Sequence, residues 1–364
     1  MFKNLARGSL SGLLAMTACV AFTSARAQPV TEPLKVGFVY VTPIGEAGWT
    51  YQHEQGRLAM QQALGSRVQS TVVEAVPEGP DAERVLRDLA ASGHRLIFAT
   101  SFGYLEPALR VAADFPNVRF AHAGGYKTAP NLATYDARYY EARYLAGMLA
   151  GAASKTGVAG YVAGFPVPEV VQGINAFALG MLEANPKAQV KVVWLNSWFD
   201  PTREREAALT LVNQGADVLT NHTASPAVAL SAQERKVRVI ANQSDMRRFA
   251  PDAQLAAVTH HWGGYYTQAA QAVLDGTWKP TPVWGGMKDG LVQLGAIDPA
   301  VPAAVKDRVE ARRKDIVAGR FKPFAAPLAD NLGVVRLVSG ELDDRAIGGM
   351  NWFVKGVVGA VPRP

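Results

Sequence analysis

Aromatic and hydroxyl side chains follow several predicted strands of this sequence, at positions where they could hold a flat small molecule. The segment NSWFDP places an indole directly after a strand, and stacking of such a ring on a planar base is worth about 1–3 kcal/mol. The loop TSFGY offers the Ser101 hydroxyl and the rings of Phe102 and Tyr104 after another strand. Ligands of doubly wound α/β folds bind outside the carboxyl ends of the strands, so these loops are predicted to meet in one site. The candidates are Trp49, Ser101, Phe102, Tyr104 and Trp198.

Several of these positions also have a purely structural interpretation. Asp200, two residues after Trp198, is predicted to cap the helix that begins at Pro201 rather than to contact a ligand. Ser101 could cap a helix as well, with the neighbouring rings in the core behind it. His222 follows a later strand and is a further candidate contact, with a solvated turn as its alternative.

Strand and helix signals alternate along the chain. Short β-branched runs predict strands at Leu34–Val41, Val68–Glu74, Arg95–Thr100, Val118–Ala123, Val158–Ala163, Val190–Leu195, Val218–Asn221 and Val237–Asn242. Helical periodicity predicts helices at Asp81–Ser92, Leu105–Phe115, Tyr139–Ser154, Val170–Asn185, Thr202–Gln214 and Pro226–Lys236. Strands that alternate with helices of this length form right-handed βαβ units with parallel sheets, and two such series predict two α/β lobes.

We expect three chain crossings between these lobes. The predicted N-terminal lobe comprises residues 34–130 plus about 258–280, and the C-terminal lobe residues 131–257 plus about 281–330. Residues 331–364 form a tail that packs on the lobes and ends in the helix-like segment MNWFVKGVV. The hinge markers are Gly124-Gly125, Leu255–Val258 and Trp278–Val283.

The beginning of the chain has the pattern of a secretory signal peptide. Lys3 and Arg7 precede an apolar stretch over residues 10–22, and an Ala-X-Ala motif ends at Ala27. We predict cleavage after Ala27 and release into the periplasm. The alternative is a lipoprotein attached through Cys19, which is the only cysteine of the chain. Cleavage would leave a mature protein without thiol or disulfide chemistry.

Charge and motif content exclude several classes of protein. The formal net charge is +6, and three of the positive charges lie in the predicted leader. The sequence has no run of Lys and Arg interleaved with aromatic residues, so we expect no nucleic-acid partner. No stretch after Ala27 has 18 uninterrupted apolar residues, so no membrane span is predicted there.

Catalytic and metal motifs are also missing from the sequence. It contains no G-x-S-x-G elbow, no H-E-x-x-H pair and no G-x-x-x-x-G-K-[ST] phosphate loop. The adjacent His260 and His261 point in different directions, and no Cys or acidic cluster has metal-ligand spacing. We therefore predict a binding protein without cofactor or metal, not an enzyme. A periplasmic hydrolase on a similar scaffold is the alternative.

Six motifs together carry a family resemblance. The opening LKVGFVYVTPIGEAGWTYQHEQGRLAMQQAL is followed, in order, by YYEARYLAGMLAG, NSWFDP, NQSDM, WGGMKDGLV and MNWFVKGVVG. In this order they resemble the basic membrane protein (BMP) family of ABC-transporter substrate-binding proteins, over roughly Leu34 to Pro364. The resemblance implies a type I periplasmic binding protein, with two doubly wound parallel-sheet lobes joined by a three-crossing hinge. It also implies a small-molecule ligand, a purine nucleobase or nucleoside, which a monomeric protein passes to ABC permease subunits in the inner membrane.

The resemblance adds candidate ligand contacts. Lys288 matches a lysine that contacts the ligand in the family, and Asp245 matches the Asp-containing motif of NQSDM, where a carboxylate could accept from a purine N–H or a sugar hydroxyl. Glu141 matches the family's Glu before LAG, and a helix cap paired with Arg138 is an equal alternative. Further candidates are Tyr139, Asn175 and Glu169.

The identity of the ligand stays open at this point. Few acidic residues are available in the predicted site for ribose hydroxyls, which favours a nucleobase such as adenine over a nucleoside. A receptor of the same fold that feeds a sensor, with another small molecule as its ligand, is the alternative function.

Overall fold

The structure of the chain is a computed structural model that describes residues 32–362. The predicted leader, its cleavage after Ala27 and the alternative lipidation at Cys19 lie outside the described residues. None of the helices among residues 32–362 is long and apolar enough to cross a membrane.

The described part of the chain alternates strands with helices. The strands are β1 Leu34–Val39, β2 Val68–Val73, β3 Leu96–Ala99, β4 Arg119–Ala123, β5 Leu132–Ala137, β6 Val158–Ala163, β7 Gln189–Trp194, β8 Val218–His222, β9 Arg238–Gln243, β10 Gln254–His260, β11 Val283–Gly285, β12 Val292–Gly295, β13 Leu328–Ala329, β14 Val335–Leu337 and β15 Val357–Val358. The α-helices are α1 Gly48–Leu64, α2 Pro80–Ala91, α3 Leu105–Asp114, α4 Tyr139–Ala153, α5 Pro168–Ala184, α6 Pro201–Asn213, α7 Ala227–Arg235, α8 Gly263–Leu274, α9 Ala303–Val317 and α10 Asp344–Gly348.

Two large sheets define the two lobes. The N-terminal sheet has the order β11-β5-β4-β3-β1-β2, and all its pairings are parallel. The C-terminal sheet has the order β12-β10-β9-β8-β6-β7-β15 and is parallel except for the β10–β12 pair. The central strand β3 is completely buried, as expected for a parallel strand covered on both faces. The predicted α/β class with two parallel-sheet lobes is confirmed.

Strand pairing corrects the expected lobe boundaries at two strands. β5 pairs with β4, so Leu132–Ala137 belongs to the N-terminal sheet although we expected it in the C-terminal lobe. β11 pairs with β5, so Val283–Gly285 also belongs to the N-terminal sheet. The expected boundary at residue 130 is therefore wrong, because the short polar stretch before β5 is a turn within the N-terminal lobe and not a hinge.

The crossings between the lobes follow from these pairings. The first lies at Arg138, between β5 and α4. The second lies at residues 261–262, between β10 and α8, because α8 packs on the N-terminal lobe through α1 and β1. The third lies at residues 286–291, between β11 and β12, rather than near Trp278–Val283.

The helix expected at the end of the chain is absent from the described residues 351–362. Instead, Val357–Val358 forms β15, which extends the C-terminal sheet beside β7. The side chain of Asn175 explains the extended chain, because its amide donates to the Trp352 carbonyl at 2.8 Å and accepts from the Val354 N–H at 3.0 Å. A side chain that binds the backbone in this way offers an alternative to helical hydrogen bonds.

Candidate functional site

A cavity of about 450 Å³ lies between the two lobes. Its lining residues come from the carboxyl ends of strands of both sheets or from the helix starts that follow them. The N-terminal lobe contributes Val41, Trp49, Ser101, Phe102 and Ala123, and the C-terminal lobe contributes Glu169, Trp198, His222, Thr223, Ala224 and Gln243. This is the place where open α/β sheets bind ligands.

The two lobes touch around this cavity. The Gly48 N–H donates to the Ser244 hydroxyl at 2.8 Å, and the Arg248 guanidinium lies 2.8 Å from the Glu46 carboxylate. A Cβ atom on Gly48 would lie 2.0 Å from the Ala224 carbonyl oxygen, so only glycine permits this approach. The structure therefore shows a closed arrangement of the lobes.

The wall from the N-terminal lobe is aromatic and fixed by hydrogen bonds at its back. The indole N–H of Trp49 donates to the Thr100 carbonyl at 2.6 Å, which orients the ring at the start of α1. The Glu78 carboxylate accepts from the Ser101 hydroxyl at 2.6 Å and from the Gly103 N–H at 2.8 Å. Since its hydroxyl is engaged in this way, Ser101 helps to position Phe102.

Trp198 is held on the opposite lobe by its loop. Asp200 accepts from the Arg203 N–H at 3.0 Å and so caps α6, as predicted. The indole ring packs over Gly164, where a Cβ atom would lie 2.7 Å from it, and beside Phe165 at 4.8 Å between ring centroids. Its N–H donates to Glu78 at 3.2 Å, so Trp198 also joins the two lobes.

An acid–imidazole pair forms the polar part of the C-terminal wall. Nε2 of His222 lies 3.1 Å from Oε1 of Glu169, which is on the first turn of α5. Burial raises the pKa of Glu169 to about 7, and the nearby guanidinium of Arg143 opposes this shift. Burial and Arg143 lower the pKa of His222 to about 3, so the imidazole is neutral. The pair can therefore present both a donor and an acceptor to a neutral ligand near pH 7.

Gln243 ends β9 with a backbone φ of 68°, in the left-handed region that side chains other than glycine seldom adopt. Its Oε1 atom is buried and has no hydrogen-bond partner within residues 32–362. An unpaired buried polar atom costs about 1–3 kcal/mol, and strained residues of this kind cluster at ligand sites. The amide of Gln243 is thus a hydrogen-bonding group that a ligand could complete.

Five of the predicted site residues come together in this cavity. They are Trp49, Ser101, Phe102, Trp198 and His222. Glu169, for which we also expected a contact, lines the cavity too.

Three other predicted contacts lie outside the cavity lining. Asp245 accepts from the Arg247 N–H at 2.9 Å and from the Gln254 amide at 2.7 Å, so its carboxylate closes a turn. Glu141 accepts from the Met287 N–H at 2.7 Å and so joins the first turn of α4 to the third crossing. Lys288 lies exposed in that third crossing.

The remaining candidates also lie outside the lining, for different reasons. The Tyr104 hydroxyl donates to the Val76 carbonyl at 2.5 Å inside the N-terminal core. Tyr139 lies behind the cavity wall, where its ring packs against His260 at 4.3 Å and is 6.4 Å from Trp49. Asn175 holds the C-terminal tail as described above.

A second, more open cavity of about 1230 Å³ adjoins the first and shares Phe102 and Glu169 with it. It also contains Asp136, whose pKa is raised well above its ordinary value by burial and by the charge of Glu169. The other lining residues are Gly124, Gly125, Tyr126, Thr134, Pro168, Gln172, Pro282, Val283, Trp284 and Gly348.

Sequence reasoning missed Gln243 and Asp136. Gln243 is part of the segment NQSDM but stands two positions before the carboxylate on which we focused. The predicted strand ended at Asn242, and its true end one residue later would have indicated Gln243 as the residue at the carboxyl end. Asp136 gave no usable signal, because β5 was not recognised as a strand.

Within residues 32–362, no group of three or more His, Cys, Asp or Glu side chains is placed to hold a metal ion.

Comparison with known proteins agrees with this architecture. A family model described as "ABC transporter substrate-binding protein PnrA-like" matches residues 34–320. A purine-binding protein of Brucella abortus is 49% identical over 333 residues, which cover 91% of this chain and 95% of that protein. A Haloferax volcanii protein named for ABC transporter glucose binding is 36% identical over 91% of this chain and 82% of its own length.

Solved structures confirm the fold. An ABC transporter solute-binding protein from Aeropyrum pernix superimposes with a TM-score of 0.70 at 20% identity, covering 81% of this chain and 94% of that one. A transcriptional activator of the comK gene from Bacillus halodurans gives a TM-score of 0.68 at 21% identity, covering 79% and 99%. The chain belongs to the PnrA-like family of ABC transporter substrate-binding proteins.

Proposed function

We propose that this protein captures a purine, with a nucleobase such as adenine as the preferred ligand, and delivers it to the permease of an ABC importer. The observation that carries the proposal is the cavity between the lobes, where aromatic rings from both sides enclose a few hydrogen-bonding groups. The name and the 49% identity of the Brucella abortus relative support the same ligand class.

The walls suit a flat heterocycle. Trp49, Phe102 and Trp198 provide ring faces, while Val41 and Ala123 complete an apolar surface. Stacking on such rings contributes about 1–3 kcal/mol per base, whichever base is bound. The rings alone would therefore give affinity for purines as a class without choosing among them.

Choice among purines would come from the polar groups of the C-terminal wall. The amide of Gln243 presents a donor and an acceptor together, the combination with which glutamine side chains read the N6 and N7 edge of adenine. Glu169 and His222 supply one further donor–acceptor pair. A buried site of this type discriminates strongly, because a ligand without the matching groups leaves the protein's polar atoms unpaired.

A nucleoside is the second ligand to consider. The base would lie in the enclosed cavity, and the ribose would extend into the adjoining open cavity beside Asp136. Glucose, suggested by the name of the Haloferax volcanii relative, fits less well, because the enclosed cavity offers rings where a sugar needs many hydrogen bonds.

Isothermal titration calorimetry on the mature protein tests this function. The ligands to compare are adenine, hypoxanthine, guanine, adenosine and glucose. We expect adenine to bind most tightly and glucose not to bind. Gln243→Met keeps the length of the side chain and removes the amide, so it should weaken adenine binding by about tenfold while hypoxanthine changes less. Failure of every purine to bind would overturn the proposal.

The proposed site of action is the periplasm, with the protein working there as a monomer. The leader over residues 1–27 would direct export, and cleavage after Ala27 would release the protein; attachment through Cys19 is the alternative. The intact mass of the exported protein separates the two, since a lipid on Cys19 adds a large fixed increment.

A further inference from the structure

The first crossing between the lobes carries an arginine that contacts both of them. The Arg138 N–H donates to the Gly285 carbonyl at 2.7 Å, so the backbone of the crossing is tied to β11 of the N-terminal sheet. The guanidinium of Arg138 lies over the indole ring of Trp284, 4.4 Å from its centroid. It also donates to the Tyr140 hydroxyl at 2.9 Å.

The same guanidinium binds the C-terminal tail. Its two terminal nitrogens donate to the two carboxylate oxygens of Asp344, each at 2.7 Å, across 206 positions of sequence. Asp344 opens α10, which the side chain of Asp343 caps by accepting from the Ala346 N–H at 2.7 Å. A planar, two-point contact of this kind fixes geometry as well as charge.

The tail itself is fastened to the C-terminal lobe. Gln172 of α5 donates to the Ile347 carbonyl at 2.9 Å, Asn175 binds the backbone near Trp352, and β15 extends the C-terminal sheet. Asp344 therefore moves with the C-terminal lobe, whereas Trp284 moves with the N-terminal lobe. Arg138 bridges the two at the position where the chain must bend.

We propose that Asp344, Arg138 and Trp284 form a hinge brace that stabilises the closed arrangement of the lobes, so that a tail segment outside the cavity increases ligand affinity. Hinge bending requires backbone rotation at the crossings, and a guanidinium clamped between a carboxylate and an indole resists that rotation. None of the three residues lines the enclosed cavity. They are positioning residues, and they act by shifting the balance between open and closed lobes.

The side chain of Arg138 is 23% exposed and that of Asp344 is 64% exposed. Because dissolved ions can reach the Asp344 carboxylate, added salt should weaken its contact with Arg138. A contact that stabilises the closed arrangement slows opening, so its loss should appear in the rate of ligand dissociation more than in the rate of association.

Asp344→Asn in the full mature chain tests the proposal, with adenine as probe; this choice of probe rests on the function proposed above. We expect dissociation of adenine to accelerate by about three- to tenfold in stopped-flow fluorescence, with association unchanged within roughly twofold. Added NaCl should speed dissociation from the wild type and have less effect on the variant. In solution scattering, the ligand-bound variant should show a larger radius of gyration than the ligand-bound wild type.

Glu234→Gln is the matched control. Glu234 forms a similar two-point pair with Arg205, at 2.5 and 2.9 Å, between α6 and α7 of a single lobe and far in sequence from every crossing. This variant should bind and release adenine like the wild type. A changed dissociation rate in Glu234→Gln would show a general charge effect and overturn the brace.

Two further outcomes keep the test decisive. If Asp344→Asn fails to fold by circular dichroism, Arg138→Lys decides, because it keeps the charge and loses the planar two-point contact; the same acceleration is expected. Unchanged dissociation in the folded variant overturns the brace. If no purine binds the wild type, the proposed function fails by itself, and the brace is judged by whether Asp344→Asn enlarges the ligand-free radius of gyration.

Discussion

The two walls of the cavity differ in chemistry although the two lobes share one architecture. The N-terminal wall presents apolar surface and rings, such as Val41, Trp49 and Phe102, and turns its hydrogen-bonding groups to the back. The C-terminal wall presents Glu169, His222 and Gln243 toward the cavity, with two of their polar atoms left without a partner in the described structure.

This contrast suggests that one wall mainly provides affinity and the other mainly provides selectivity. Apolar rings give affinity that depends little on the pattern of donors and acceptors. Unpaired polar groups give selectivity, because the cost of leaving them unsatisfied falls on every ligand that lacks the matching atoms. Trp198 is the exception that joins the walls, since it stands on the C-terminal lobe yet donates to Glu78 of the N-terminal lobe.

The largest effect is expected from keeping the walls apart. Gly48 has a φ of 90°, and a Cβ atom there would overlap the Ala224 carbonyl oxygen at 2.0 Å. Gly48→Ala should therefore prevent closure and weaken ligand binding by about 3 kcal/mol or more, roughly 100-fold, as measured by calorimetry.

Gly45→Ala provides the control for that variant. Gly45 lies in the same loop and also has a positive φ, of 57°, but a Cβ atom there would come no nearer than 4.0 Å to the atoms around it. It should lose about 1 kcal/mol of folding stability from backbone strain and keep its affinity. Equal loss of binding in both variants would mean that loop strain, and not contact between the walls, controls affinity.

The next largest effect should come from the ring that joins the walls. Trp198→Ala removes a stacking face and should weaken binding by about 1–3 kcal/mol without unfolding the protein. Trp198→Phe keeps a ring and loses the N–H contact with Glu78, so its affinity should lie between those of the wild type and Trp198→Ala. The neighbouring Phe199 is 39% exposed, and Phe199→Ala should bind like the wild type. Calorimetry would contradict the stacking role if Trp198→Ala and Phe199→Ala behaved alike.

Most of the N-terminal wall could be predicted from the sequence, because its large side chains directly follow the ends of predicted strands. Trp49 and Phe102 are large rings in loops after easily recognised strands, so sequence alone placed them at the cavity between the lobes. The cap at Asp200 was equally accessible, because an Asp-Pro pair before a helix has one dominant local explanation.

The C-terminal wall was harder to predict because its assignment depends on single residues. Gln243 and Asp245 are two positions apart, and only the last hydrogen-bonded residue of β9 shows which of them reaches the cavity. Strand and tail boundaries depend on long-range pairing in the same way. β5 and β15 are recognised by their neighbours in the sheet and not by a strong local pattern.

A smaller effect should appear in the pH dependence of stability. The pKa of Glu169 is raised from 4.5 to about 7 in the folded protein, so the stabilising protonated form is fully present below pH 4.5 and is lost as pH rises through about 7. Glu169→Gln removes this dependence. It should match the wild type near pH 4.5 and exceed it by about 2–3 kcal/mol at pH 8, in urea unfolding.

The titratable groups next to Glu169 affect the stability of both the wild type and the Glu169→Gln variant. His222 and Arg143 face Glu169, and the lowered pKa of His222 makes folding less favourable at acid pH in wild type and variant alike. The difference between the two curves therefore reports the Glu169 carboxyl group together with its effect on Asp136, whose pKa the charge of Glu169 raises. Glu106→Gln is the control: the exposed Glu106 pairs with Lys127 and has a lowered pKa, so its difference should have the opposite sign. A flat difference for Glu169→Gln would contradict the buried, protonated carboxyl.

The smallest effect is expected at Lys288, which the family resemblance suggested as a ligand contact. The structure places it exposed in the third crossing and outside the lining of the cavity between the walls. Lys288→Ala should therefore change affinity by less than roughly twofold in calorimetry, as exposed substitutions away from a site do. A loss of tenfold or more would show that the third crossing folds inward when the ligand binds. In that case a charged donor would belong to the recognition surface, and the present division between an apolar wall and a neutral polar wall would need a third, basic component.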